Sequence, residues 1–177
     1  RQPRWYRRGQ PADQAGYLLI ESFVAITVIV VGLLGIFSLL SQSLGLYRVI
    51  SDRYAATALA AEGLEIVKNI IDNNTLASQW DRGIAGGNYQ IDFTSEELGE
   101  DCGVACAQTL FFNPITNTYS RAPADRPTKF TRVMTIGQIV DREGLVQALR
   151  VNAQVDWLTR GGGQFSINLE DIFYNYR

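Results

Sequence analysis

Residues 16–40 read GYLLIESFVAITVIVVGLLGIFSLL, and the rest of the chain is best interpreted outward from this apolar run. Glu21 is its only charged residue. About 20 consecutive apolar residues are enough to cross the hydrocarbon core of a bilayer. A single crossing segment has to be helical, because lipid offers the backbone no hydrogen-bond partners. The run therefore predicts a transmembrane helix over residues 17–40.

Basic residues predict the direction in which this helix crosses the membrane. Four arginines precede the apolar run and two follow soon after it: Arg1, Arg4, Arg7 and Arg8 before, Arg48 and Arg53 after. Cytoplasmic flanks of membrane helices carry more Lys and Arg than exterior flanks do. We therefore expect the N-terminus in the cytoplasm and residues 41–177 outside the membrane.

Glu21 is the unusual residue of the run. A carboxylate inside an apolar membrane helix costs about 2–3 kcal/mol unless it finds a partner. If the chain were cut after Gly16, the new α-amino group of Tyr17 would lie one helical turn from Glu21. Two interpretations follow. The carboxylate pairs with the N-terminal amine of its own or a neighbouring chain, or it reaches the membrane interface from the first turn, helped by the helix dipole.

The segment Gly16–Glu21, GYLLIE, resembles the prepilin peptidase signal of type IV pilins and type II secretion pseudopilins. A basic leader precedes it and a long helical pattern follows without a break. The resemblance implies cleavage between Gly16 and Tyr17 on the cytoplasmic side, N-methylation of Tyr17, and a role for Glu21 in assembling a helical filament. It also implies the partners, which are prepilin peptidase, an inner-membrane assembly platform, the membrane and other pilin subunits.

Three details narrow the resemblance. Tyr17 stands where the family usually has Phe, and residues 17–73 lack the helix-kinking proline common in major pilins. The segment Ala55–Asn74, AATALAAEGLEIVKNIIDNN, looks like that of minor pilins of the pilus-modification type. We therefore expect a non-catalytic minor subunit of a type IV pilus, made in the cytoplasmic membrane and moved into an extracellular filament. The alternatives are a periplasmic type II secretion pseudopilin and an anchored exterior binding domain that never polymerises.

Composition excludes several classes of enzyme. The 177 residues contain no histidine, which removes His-based acid–base catalysis, Ser-His-Asp triads and most zinc sites. The sequence contains neither of two glycine-rich phosphate-binding motifs, G-x-x-x-x-G-K-[ST] and G-x-G-x-x-G. We expect no catalytic residue, no cofactor and no metal.

Charge argues against a nucleic-acid partner. The 16 basic and 18 acidic residues give a net charge of −2, which becomes −5 if residues 1–16, with four Arg and one Asp, are removed. A DNA-uptake function remains as an alternative, because the head contains a local basic group with aromatic residues that could stack on bases. The basic group is Arg121, Arg126, Lys129 and Arg132, and the aromatic residues are Tyr119 and Phe130.

Residues 17–72 are predicted to form one helix, ended by the polar run Asp72–Thr75. Its exterior half, residues 41–74, is amphipathic. An apolar stripe with the spacing of a core-facing surface contains Leu59, Gly63, Ile66 or Val67, and Ile70. The solvated side is expected to carry Asp52, Glu62, Glu65, Lys68 and Asp72. Residues 1–16 are expected to form a disordered basic leader that is removed.

Residues 75–177 are predicted to form a β-rich head. The clearest strands are 130–140, 145–158 and a third through 165–169, with turns at 141–144 and 161–163; shorter candidates are 88–94, 109–112 and 116–120. One face of the second strand carries Leu145, Leu149, Val151, Ala153, Val155 and Trp157. This alternation predicts an antiparallel meander with one solvated face, covered on the other by the helix stripe. The expected fold is α+β, which is also the pilin-like architecture that the resemblance implies.

Cys102 and Cys106 are the only cysteines. An exterior domain meets oxidising conditions, so we expect a disulfide rather than free thiols. The small loop it closes would stabilise the head by about 2 kcal/mol. Four nearby acids could offer oxygens to Ca²⁺ but lack the spacing of a known binding loop, so a solvated acidic turn is expected: Glu96, Glu97, Glu100 and Asp101.

Overall fold

A computed structural model describes residues 12–76, 80–106, 109–159 and 162–175, without the side chains at 12–15, 75–76 and 104–105. One helix, α1, spans Ala12–Leu76, and the chain divides into two compact units, Arg1–Ile50 and Ser51–Arg177. Six strands follow the helix: β1 (Gly87–Tyr89), β2 (Thr109–Asn113), β3 (Thr118–Ser120), β4 (Arg126–Val140), β5 (Val146–Leu158) and β6 (Gln164–Tyr174). A short 3₁₀ helix covers Gly103–Cys106.

Helix α1 is longer at both ends than the sequence predicted. It begins at Ala12, so the end of the leader is helical rather than disordered. Alanine has the highest helix propensity, and the long helix that follows already bears the cost of nucleation. At the other end the helix continues through Asn73 and Asn74 to Leu76. Two asparagines cost only fractions of a kcal/mol in a helix, too little to end one that is packed on its opposite side. Residues 1–11 of the predicted leader lie outside the described residues.

In the first unit, α1 exposes an apolar surface. Large apolar side chains remain exposed from Tyr17 to Ile50, beyond the predicted transmembrane part. The hydroxyl groups of Ser22 and Thr27 donate hydrogen bonds to the carbonyl oxygens of Leu19 and Phe23, one turn earlier, at 3.0 and 2.8 Å. Such bonds satisfy a hydroxyl group where no water is available. The helix is long and apolar enough to cross a membrane.

The three long strands form an antiparallel meander, as predicted. β4 pairs with β5 from Phe130–Trp157 onward, and β5 pairs with β6 along its length. The short strands do not continue the meander. β2 and β3 form a hairpin, but β2 rather than β3 adjoins β4, and β1 pairs with the same edge of β4 further along. The sheet order is β3-β2-β4-β5-β6, with β1 beside β4.

In the second unit, the C-terminal part of α1 covers one face of this sheet. The predicted stripe of Leu59, Gly63, Val67 and Ile70 is buried, joined by Ala56, Ala60 and Ile71. It shares one apolar core with the predicted inward face of β5: Leu149, Val151, Ala153, Val155 and Trp157. Burying each large aliphatic side chain contributes about 1.5–3 kcal/mol, so this core holds helix and sheet together. The α+β prediction is confirmed.

Glycine at position 63 sets the separation of helix and sheet. A Cβ atom there would lie 2.7 Å from the Sδ atom of Met134, which is itself fully buried. A methyl group would therefore push α1 away from β4 or displace the Met134 side chain. Gly63 thus permits the close approach of the two elements without a shift of Met134.

Several predicted strand boundaries were wrong. The predicted strand 88–94 is cut short after Tyr89, because the Asp92 side chain accepts the backbone N–H of Thr94 and turns the chain. Leu145 does not belong to the inward face of β5; it is 60% exposed in the turn, and the strand begins at Val146. β3 is shorter than predicted, whereas β4 begins at residue 126 and β6 extends to residue 174.

Candidate functional site

The predicted processing and assembly residues lie on the open surface of the first unit. Gly16 is inside α1, and a Cβ atom there would meet nothing within 4 Å. Tyr17 is 72% exposed and Glu21 is also exposed. Residues four apart on a helix share one face, about one turn from each other. The peptide bond after Gly16 and the Glu21 carboxylate are therefore neighbours on one accessible surface.

Glu21 is an isolated charge on this surface. Within the part of the chain that the structure describes, it makes no hydrogen bond or ion pair. Its neighbours are exposed and apolar: Leu18, Leu19, Ile20 and Phe23. In an apolar medium such a carboxylate is costly unless it meets a cationic partner or reaches the membrane interface. Chemically, the segment is suited to accept an ammonium group.

A second polar site is buried inside the head, around Arg132. Arg132 is 2% exposed, and its side chain donates to the carbonyl oxygens of Leu59 (2.7 Å) and Ile91 (2.8 Å). Its Nη1 atom lies 3.7 Å from a carboxylate oxygen of Glu62. The buried Nε atom has no hydrogen-bond partner. Arg132 thus joins α1, β4 and the segment after β1 at one point of the core.

Burial changes the electrostatics of this pair. Loss of solvent lowers the pKa of the Arg132 guanidinium, opposed by the nearby carboxylates of Glu62 and Asp92. Burial also raises the pKa of Glu62, and the attraction of Arg132 offsets only part of that rise. The prediction that Glu62 is fully solvated was therefore wrong, because β4 places an arginine beneath it. Asp52 is likewise half-buried and paired, with Lys129. Glu65 and Lys68 form the exposed pair expected of them, at 3.7 Å.

Asp92 fixes the chain that follows β1. It is 4% exposed, and its Oδ1 atom accepts the backbone N–H and the hydroxyl of Thr94 at 3.0 and 2.6 Å. Its Oδ2 atom accepts the backbone N–H of Arg121 at 3.0 Å and the Nε–H at 3.4 Å. Burial acts to raise the pKa of Asp92, but the hydrogen bonds from Thr94 and Arg121 outweigh it and hold the pKa below its ordinary value of 3.8.

Asp92→Asn should lower the free energy of unfolding at pH 7 by about 1.5–3 kcal/mol, since its amide nitrogen would face the N–H groups of Arg121. A carboxyl group with a depressed folded-state pKa stabilises the fold above its unfolded pKa and loses that contribution as pH falls. The difference between variant and wild type should therefore shrink below about pH 3.8. Urea unfolding at pH 7 and pH 3 measures it. Asp171→Asn, at an exposed position, is the control; an equal difference at both pH values would contradict the assignment.

Cys102 and Cys106 form a disulfide whose Cα atoms are 5.2 Å apart. It closes the 3₁₀ segment, and both ends are tied to the chain near β1. The N–H of Cys102 donates to the carbonyl of Asn88 at 2.9 Å, and Gln90 donates to the carbonyl of Cys106. Asp101 accepts two backbone N–H groups, which lower its pKa. Over the described ranges, no group of three or more Cys, Asp or Glu side chains is placed to hold a metal ion.

Only part of the predicted local basic group is free at the surface: Arg121, Arg126 and Lys129 are exposed, and two of them are paired with carboxylates. Arg132 is buried, Arg121 pairs with Asp92, and Lys129 pairs with Asp52. The two aromatic residues proposed to stack on bases are also engaged. Tyr119 packs on Phe112 with ring centroids 5.1 Å apart, and Phe130 is buried. Phe130 is therefore unavailable for stacking, whereas Tyr119 is half-buried.

The predicted residues do not converge on one site. Gly16, Tyr17 and Glu21 belong to the first unit, whereas the disulfide belongs to the second. The sequence interpretation missed the buried cluster, although one signal was present. Arg132 alternates in phase with Phe130 and Met134, so a strand there directs its side chain into the core. No family model, curated protein or solved structure matches this chain.

Proposed function

We propose that this chain is a minor subunit of a type IV pilus. Prepilin peptidase cuts it between Gly16 and Tyr17, and the mature subunit joins an extracellular filament through its apolar helix. The observation that carries the proposal is the isolated Glu21 carboxylate, exposed on an apolar helix one turn after the Gly16–Tyr17 bond. A cleaved chain would present an ammonium group at Tyr17, which supplies the cation that this carboxylate lacks.

The apolar surface of the first unit supports assembly as well as anchoring. Its side chains require either lipid or other helices around them from Tyr17 to Ile50. Helices leave lipid for one another through close packing and polar contacts rather than through the hydrophobic effect. Gly32 and Gly35 have open space where a Cβ atom would lie, which permits such close packing. The Glu21–amine pair would then set the register between adjacent helices, a well-attested use of a buried ion pair.

The direction of insertion agrees with this pathway. Arginines 1, 4, 7 and 8 favour a cytoplasmic N-terminus, where the peptidase of the resembled family acts. The head then lies outside, where its disulfide is stable. A filament subunit needs no catalytic centre, because it acts by packing its apolar helix against those of neighbouring subunits.

The decisive experiment is intact-mass measurement and N-terminal sequencing after expression with and without a prepilin peptidase. We expect a product that begins at N-methylated Tyr17 and forms only with the peptidase. Gly16→Leu should block cleavage, whereas Gly32→Ala, on the same helix, should leave it unchanged. An uncut chain in a host that processes a co-expressed known prepilin would overturn the proposal and favour an anchored, non-polymerising binding domain.

A further inference from the structure

The tip of the β2–β3 hairpin presents an unusually exposed apolar side chain. Ile115 is 90% exposed, more than any other large apolar residue described. The turn that carries it is fixed by Asn113, whose Oδ1 atom accepts the N–H groups of Ile115 (2.9 Å) and Thr116 (3.2 Å). The Asn113 amide in turn donates to Asp125 at 3.0 Å. A turn whose backbone is already fixed loses little backbone entropy on binding, so the position of Ile115 is preorganised for contact.

A cavity elsewhere in the head has matching chemistry. Its volume is about 610 Å³, within the range of protein binding pockets. The lining includes three buried aliphatic side chains: Ile70, Ile84 and Leu98. Charged residues at the cavity are Arg82, Glu97 and Glu100, all exposed, so its mouth carries a net negative charge. An aliphatic side chain accompanied by a cation fits this lining.

The hairpin and the cavity lie at opposite ends of the head. Lys129 of β4 meets Asp52 of α1, and Met134 lies against Gly63. The helix advances about 17 Å from Asp52 to Gly63, and a strand advances about the same distance from Lys129 to Met134. Helix and β4 therefore run in the same direction over this stretch.

The hairpin lies at the start of β4, where Phe112 pairs with Arg126. The cavity lies near its end, where Gln138 donates to the carbonyl of Ile84 at 2.7 Å. Twelve strand residues separate Arg126 from Gln138, which corresponds to about 40 Å. Ile115 therefore cannot reach the cavity of its own chain.

We propose that Ile115 of one copy inserts into this cavity of a second copy. Arg126, beside the hairpin, is exposed and has no ion pair among the described residues, so it faces no competing partner when it approaches Glu97 and Glu100. Opposite charges around an apolar contact set its orientation. The burial of Ile115 removes its exposed apolar surface from water, which drives the contact.

This contact is directional. Because its two surfaces are different and lie at opposite ends of the head, each bound pair leaves one free hairpin and one free cavity. The contact rests on and deepens the filament function proposed above by naming a directional interaction between the β-rich heads of two copies of this chain, and it does not require cleavage at Gly16.

Site-specific photo-crosslinking of the full chain in detergent tests the contact. We would place p-benzoylphenylalanine at position 115 and irradiate a mixture of isotopically light and heavy chains. We expect light–heavy adducts on peptides containing residues 82–84 or 97–100. The same probe at Leu145, another exposed apolar turn residue, should give at least about tenfold less of this adduct. Adducts confined to other regions, or none between chains, would overturn the proposal.

Charge reversal supplies a second readout. Glu97→Lys with Glu100→Lys should lower the adduct yield about tenfold, and Arg126→Glu in the probe-bearing chain should restore it. An unchanged yield in the double variant, or no recovery on reversal, would overturn the charge pairing. All three residues are exposed, so folding is preserved. Normal cleavage without the adduct would reject this contact alone, and the adduct without cleavage would reject the pilin proposal alone.

Discussion

Arg132→Ala should lower the free energy of unfolding of the head by about 3–5 kcal/mol, the usual cost of breaking a buried charge pair. The substitution leaves a void under α1 and removes the donors to the carbonyls of Leu59 and Ile91. It also leaves Glu62 half-buried without its counter-charge, 3.7 Å away in the native head. The void, the missing hydrogen-bond donors and the missing counter-charge all destabilise one contact between helix, sheet and loop.

Two further variants separate these losses. Arg132→Met fills most of the void and should cost less than Arg132→Ala, because shape-matched apolar residues often replace buried charges with small effect. Arg132→Lys keeps the charge, but one ammonium group cannot reach carbonyls on both α1 and the segment after β1. Its free energy of unfolding should therefore lie between those of Arg132→Met and Arg132→Ala. The expected order of decreasing stability is therefore Arg132→Met, Arg132→Lys and Arg132→Ala, and the place of lysine follows from the forked geometry of the two bonds.

The loss at Arg132 should also depend on pH. Burial raises the pKa of Glu62 from 4.5, and Arg132 opposes the rise. Without the arginine the folded-state pKa climbs further. A carboxyl group with a raised folded-state pKa favours the fold while protonated, and this contribution is lost as pH rises through that pKa. The destabilisation of Arg132→Ala should therefore be larger at pH 7 than at pH 4.

Urea unfolding of the full chain in detergent, followed by the fluorescence of buried Trp157, measures these differences. Arg150→Ala is the matched control, since Arg150 is exposed and its nearest carboxylate, on Glu170, is 3.9 Å away. Exposed pairs of this kind contribute about 0–1 kcal/mol. If Arg132→Ala cost no more than Arg150→Ala, the buried cluster would have no structural role.

The core around Arg132 shows which features of the fold a sequence pattern predicts and which it does not. The inward face of β5 and the stripe of α1 were predictable, because burial on one side imposes a period of two on a strand and 3.6 on a helix. Arg132 falls in phase with that pattern but contradicts it chemically. Its meaning depends on the partners that α1 and Ile91 bring from distant parts of the chain, and no local spacing records them.

The predictions of a solvated Glu62 and of a strand after Tyr89 were wrong for related reasons. A helix position at the border of the apolar stripe is solvated or buried according to what the sheet places beside it, and only the fold supplies Arg132 there. The alternation after Tyr89 resembled a strand, but Asp92 captures backbone N–H groups that a sheet would have used. Local periodicity therefore identified the layers of the fold, while long-range hydrogen bonds decided the loops.

Glu21→Ala should leave cleavage at Gly16 unchanged and reduce incorporation of the mature subunit into filaments at least about tenfold, which corresponds to about 1.4 kcal/mol at the assembly step. Glu21 makes no hydrogen bond or ion pair within the described residues, so its removal breaks no polar interaction of the isolated subunit. Alanine would even favour residence in lipid, because the carboxylate costs about 2–3 kcal/mol there without a partner. A defect limited to assembly would thus place the partner of Glu21 on another subunit.

Ser22→Ala is the matched control, because the Ser22 hydroxyl is already satisfied by the carbonyl of Leu19 on its own helix at 3.0 Å. Sheared filaments and membranes would be compared by quantitative immunoblotting, with N-terminal sequencing of both fractions. Glu21→Gln separates charge from shape, since it retains the hydrogen-bonding side chain but cannot neutralise an ammonium group. Equal incorporation of Glu21→Gln and wild type would show that the charge is unnecessary, and the pairing with the Tyr17 amine would then be rejected. An intersubunit ion pair requires that incorporation into filaments falls in Glu21→Gln but not in Ser22→Ala.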